Sequence, residues 1–85
     1  MKKHWVLIYN HLDKKPYPRE NIPENCTIPF KLYDGDDVLY FTGLMSEKLY
    51  ESGEAIFEPL DYAMASWGCT DLKVNGPRDN GFTLV

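Results

Sequence analysis

The sequence predicts a small single-domain α+β fold spanning residues 1–85, with a mainly antiparallel sheet of about five strands and one short helix packed on a face. Three observations carry that expectation. Two apolar runs flank Asp34-Gly35-Asp36-Asp37, the pattern of a β-hairpin. Leu60, Ala63, Met64 and Trp67 recur at i, i+3, i+4 and i+7, the spacing of an amphipathic helix. A chain of 85 residues, 44% apolar and 14% aromatic, can build one core and has no room for a second.

The elements follow in chain order. Residues 4–12 are rich in β-branched and aromatic side chains and read as a strand, with Val6 and Ile8 on one face and Trp5, Leu7 and Tyr9 on the other. Both faces are apolar, as in a strand covered on each side. Residues 13–27 are polar, hold Pro16, Pro18 and Pro23, and read as one long loop. Residues 28–42 form the hairpin, with Gly35 supplying the positive φ of a tight turn. If Gly35 and Asp36 are the turn pair, Leu32 lies opposite Leu39 and Phe30 opposite Phe41. Ile28, Phe30, Leu32, Leu39 and Phe41 then face the core, while Lys31, Tyr33, Val38, Tyr40 and Thr42 face away.

Ser46 is placed to cap a short helical turn that ends at Gly53. The better helix begins near Pro59, whose missing N–H suits the first turn, and closes at Gly68. Leu72 and Val74 alternate with polar neighbours, Asn75-Gly76-Pro77 breaks the run, and residues 82–85 supply a last apolar stretch, so a second hairpin closes the chain.

Charge is distributed unevenly. Nine bases against thirteen acids leave a net −4, which disfavours direct binding to nucleic acid or anionic lipid. Residues 1–33 carry +3 and residues 34–85 carry −7. Eight carboxylates, Asp34, Asp36, Asp37, Glu47, Glu51, Glu54, Glu58 and Asp61, fall within residues 34–61 against the single base Lys48. No stretch reaches the roughly 20 apolar residues of a spanning helix, and no export signal is visible, so a cytoplasmic, non-membrane protein with free thiols at Cys26 and Cys69 is expected.

Enzyme motifs are missing. No zinc spacing, phosphate loop, dinucleotide fingerprint or nucleophile elbow occurs, so neither a metal nor a cofactor is expected. His4 and His11 lie seven apart on one strand, an odd separation that sends them to opposite faces. Asp34, Asp36 and Asp37 begin like a calcium loop, but the later ligand positions hold Tyr40, Thr42 and Met45. Cys69 follows a helix C-terminus, where the dipole opposes a thiolate. Cys26, in a polar loop, is the more reactive thiol and the basis of one alternative, a thiol-dependent enzyme.

The expected function is therefore non-catalytic: a small acidic interaction protein docking on a basic protein surface. Asp34, Asp36, Asp37, Glu47, Glu51, Glu54 and Glu58 would steer it, and Tyr40 and Tyr50 would anchor it. Its sharpest form is an inhibitor of nucleic-acid-handling machinery, a partial nucleic-acid mimic of the kind a phage or plasmid encodes in anti-defence. A further alternative is a homodimeric structural or regulatory module. It would associate through an aromatic sheet face of Trp5, Leu7, Tyr9, Tyr33, Val38 and Tyr40.

Overall fold

The computed structural model describes residues 4–85. Its centre is an antiparallel sheet of six strands in the order β2-β1-β4-β3-β5-β6: β1 (Trp5–Asn10), β2 (Lys15–Pro16), β3 (Cys26–Tyr33), β4 (Leu39–Ser46), β5 (Asp71–Val74) and β6 (Thr83–Leu84). The sixth strand comes from the expected long loop, where Lys15 and Pro16 pair with Asn10 and Tyr9. The same segment also holds a 3-10 turn, Arg19–Asn21, and Cys26 already belongs to β3.

Between β4 and β5 the chain forms α1 (Glu47–Tyr50), a 3-10 turn (Gly53–Phe57) and α2 (Glu58–Trp67). The Ser46 hydroxyl caps α1, accepting from the Leu49 N–H at 3.1 Å, and the same oxygen lies 3.0 Å from His4 Nδ1. Pro59 sits in the first turn of α2, and Gly68 ends it in the left-handed region at φ 74°. Among the described residues no helix lies on the other side of the sheet, since β3 alternates Cys26, Ile28, Phe30 and Leu32 into the core with Thr27, Pro29, Lys31 and Tyr33 away from it.

Phe30, Leu32, Phe41, Met45, Leu49, Ile56, Leu60, Ala63, Leu72 and Val74 make up most of the core. Trp5 closes its edge, with its ring T-shaped to Phe30 at 6.5 Å and tilted on Tyr62 at 5.5 Å.

Several expectations change. The hairpin register is two residues longer on β4: Leu32 pairs with Phe41 and Phe30 with Gly43, while Tyr33 pairs with Leu39 across a bulge at Tyr40. The turn adds a residue because Asp37, not Gly35, takes the left-handed conformation, at φ 62°. Asp34 holds the loop closed, its Oδ1 accepting from the N–H of Asp36 at 2.8 Å and of Val38 at 2.9 Å.

In β1 a second bulge, at Ile8, separates Leu7 from Tyr9. Trp5 and Leu7 therefore pair with Met45 and Gly43 on the helix-covered face, whereas Val6 and Tyr9 pair with Leu44 and Thr42 on the open one. On α2 the buried stripe is narrower than the spacing suggests, since Met64 is 49% and Trp67 37% exposed.

Candidate functional site

The acidic residues do not form one band. The carboxylates of Asp34, Asp36 and Asp37 stand at the β3–β4 turn, while Glu47, Glu51, Glu54 and Glu58 follow the far end of β4. The eight residues of β4 put about 23 Å between the turn and the start of α1 at Glu47. α2 runs back toward the turn, where the Thr70 N–H donates to the Tyr33 carbonyl at 2.9 Å.

The expected steering and anchoring residues thus fall into two sets. At the turn, Asp34 is engaged by its own hairpin. The Val38 and Asp36 amides and the Tyr40 hydroxyl together hold its carboxyl below the usual range. Tyr40, half-buried against the core, is correspondingly raised by the Asp34 charge it donates to. Asp36 and Asp37 remain exposed.

At the other end, the Tyr50 hydroxyl donates to Asp79 Oδ2 at 3.2 Å, and its ring packs on Gly76 and beneath Arg78. The Gly76 amide and this hydroxyl hold Asp79 below the ordinary carboxylate range. Glu51 meets Arg78 at 3.3 Å, the one ion pair among the described residues, and its exposed setting makes it a weak tie. Glu47, Glu54 and Glu58 are exposed. Both tyrosines are thus engaged by carboxylates of the same chain, Tyr40 by Asp34 and Tyr50 by Asp79.

Exposed large apolar side chains stand on α2 and the turn before it. Phe57, Tyr62, Met64 and Trp67 are each at least 36% exposed and stand among Glu54, Glu58 and Asp61. Tyr62 and Trp67 touch at 5.4 Å, and Trp67 reaches down to Phe41 at 5.0 Å. The sequence signal was available in the run of large apolar residues that exceeds what one narrow helical stripe can bury.

The homodimer surface changes as well. Trp5 and Leu7 lie beneath the helical layer, Tyr40 packs on the core, and Val38 is at the hairpin tip, which leaves Tyr9 and Tyr33 of the expected set on the open face. Beside them stand Val6, Pro29, Leu44, Thr42, Lys31 and Lys73.

Cys26 is not a loop thiol. It is 3% exposed at the start of β3, and burial pushes its pKa up. Cys69 is fully buried and is pushed up to about 11, by burial first and by the Asp34 charge second. Both changes disfavour the nucleophilic thiolate. In the folded protein Cys26 and Cys69 should therefore react with iodoacetamide at pH 8 more slowly than a free cysteine. Mass spectrometry of the alkylated peptides checks this, and a Cys26 that outpaces the model thiol would revive the thiol mechanism.

Among the described residues no three His, Cys, Asp or Glu side chains gather as a metal site requires, and no helix is long and apolar enough to cross a membrane. His4 and His11 lie beyond the two ends of β1 and have separate partners, Ser46 and Thr42. Compared with family models, curated proteins and solved structures, the chain gives no match in any of the three.

Proposed function

We propose that this chain is a non-catalytic interaction domain whose helical layer docks on a basic surface of a partner protein. The observation that carries the reading is where the net charge resides. Residues 47–67, the segment of α1, the 3-10 turn and α2, hold five carboxylates and one lysine, for −4; the remaining residues hold eight bases and eight acids and sum to zero. The whole excess charge of the chain lies on one layer.

Exposed Phe57, Tyr62, Met64 and Trp67 stand within that field. Long-range attraction steers a charged layer to its partner and sets the rate of capture, whereas aromatic side chains that lose water on contact supply most of the lasting affinity. The layer offers both. Nucleic-acid-binding proteins present basic surfaces of the matching kind, so an inhibitor of such machinery is the specific form of the proposal. The ten residues of α2 extend about 15 Å, enough to occupy one subsite of a nucleic-acid groove and too short to imitate a long duplex.

The division of the acids makes the test selective. Immobilised protein is exposed to native lysate at low and high salt in three forms: unaltered, E54K/E58K/D61K and D36K/D37K. A partner captured by the unaltered protein should be lost at high salt, lost with the helical triple variant and retained with the hairpin variant. Duplex or single-stranded DNA should displace it. Capture of the same proteins by all three forms would overturn the reading.

A further inference from the structure

The strand register sets five side chains in one row across the open face. Tyr9 lies opposite Thr42, Thr42 opposite Lys31, Lys31 opposite Lys73, and Lys73 opposite Leu84. Like charges directly opposite on neighbouring strands repel, and among the described residues neither lysine has a carboxylate in ion-pair contact. Each ammonium lies instead over a ring, Lys31 at 4.2 Å from the Phe82 centroid and Lys73 at 4.7 Å from that of Tyr33.

Tyr9 and His11 stack at 4.5 Å, and His11 Nε2 lies 2.8 Å from the Thr42 hydroxyl. Burial, and then the Lys31 charge, lower the His11 pKa, so the ring is neutral near pH 7. The centre of the face therefore brings together two cations, a hydroxyl, an uncharged imidazole and three exposed or half-exposed rings, Tyr9, Tyr33 and Phe82, with one carboxylate, Asp71, opposite Tyr33.

We propose that this row binds single-stranded nucleic acid, with Lys31 and Lys73 on backbone phosphates and Tyr9, Tyr33 and Phe82 against the bases. Single-strand sites combine cations that follow the backbone with rings on which bases stack, and both stand here on the face opposite the helical layer. A phosphate beside the two ammoniums relieves their mutual repulsion and is a stronger partner for each than an aromatic ring. Moving them onto phosphates frees the faces of Phe82 and Tyr33. A duplex keeps its base faces stacked inside and gains nothing from the rings.

The overall negative charge does not bar this ligand. The excess charge lies on the helical layer, and the molecule measures 29 × 27 × 23 Å. Screening at physiological salt acts over about 8 Å, so carboxylates on the outer side of the helices contribute little at the opposite face. The sheet site stands independently of any docking through the acidic layer.

The test uses fluorescein-labelled oligothymidylate and oligouridylate of about twelve nucleotides, within the range single-strand sites cover, read by anisotropy and by amide chemical shifts. Two phosphate contacts predict saturable binding that weakens about 7-fold between roughly 50 and 200 mM salt. K31E/K73E should abolish binding and K31A/K73A weaken it, with native spectra confirming that each is folded. E54Q/E58Q/D61N should bind as the unaltered protein does. Shifts should centre on Tyr9, Lys31, Tyr33, Thr42 and Lys73.

The proposal is overturned by absent binding at the lower salt, by shifts confined to the helices, by indifference to K31E/K73E, or by equal affinity for duplex. Sheet-face shifts that follow protein concentration alone would assign the surface to a second copy instead. None of these outcomes bears on capture through the helical layer.

Discussion

Phe30→Ala should remove about 3–5 kcal/mol of folding stability, the range for deleting a fully buried aromatic side chain. Phe30 is 0% exposed on β3, which lies between β4 and β5 in the interior of the sheet. Its ring extends over Gly43 and meets the edge of Trp5. Truncation therefore loses the transfer free energy of the ring and leaves a hole that β4 cannot fill, because the residue below it has no side chain to move. A chain this short has a total stability of about 4–13 kcal/mol by the usual per-residue values. At the low end of that range the variant would be near its unfolding midpoint in buffer. Urea titration followed by far-UV circular dichroism reads the loss as a lower midpoint with an unchanged slope. A loss below about 1 kcal/mol, the scale of an ordinary surface change, would mean that Phe30 is not the centre of this core.

The same residue shows what the sequence makes legible. The hairpin register read from Asp34-Gly35-Asp36-Asp37 is wrong by two positions, yet Phe30, Leu32 and Phe41 face the core and Lys31, Tyr33 and Thr42 face away as expected. Side chains alternate with period two, so an error of two preserves every face. The bulges at Ile8 and Tyr40 have no such protection. A bulge sets two residues against one to fit its neighbours, and no local pattern announces it. In β1 both alternating sets are apolar, so periodicity could not choose which faced the helices; the Trp5 and Leu7 set went in, and the Ile8 bulge then turned Tyr9 out.

The acidic surface misled for a different reason. Residues 34–61 are continuous as a string, but β4 crosses the molecule between Asp37 and Glu47. Proximity along a chain becomes proximity in space only within a helix or a turn, and one extended strand is enough to separate the ends. Within the helical segment the reasoning holds better, since Glu54, Glu58 and Asp61 occupy consecutive turns and stay together. The lysine pair was hidden until β3 and β5 were known to be neighbours, because Lys31 and Lys73 are 42 positions apart in sequence.

Gly43→Ala should destabilise the fold by about 1–3 kcal/mol, the usual cost of overpacking a closed interior, although the change adds only one methyl group. Gly43 is buried on β4 between β1 and β3, opposite Leu7 and Phe30. A Cβ there would overlap the Phe30 ring and come within 2.5 Å of the Val6 carbonyl oxygen. The two obstacles differ in kind. The ring belongs to a side chain and can be removed, but the carbonyl belongs to the neighbouring strand and moves only if β1 moves. A double-mutant cycle with Phe30→Ala separates them, because in that background the new methyl enters the space the ring has left while the carbonyl stays in place. The double variant should thus be more stable than the sum of the single losses predicts, by an interaction term of about 0.5–3 kcal/mol, and still less stable than Phe30→Ala alone. Additive losses would mean that the close approach of β1 sets the requirement for glycine. A double variant as stable as Phe30→Ala would leave the aromatic ring as its whole cause.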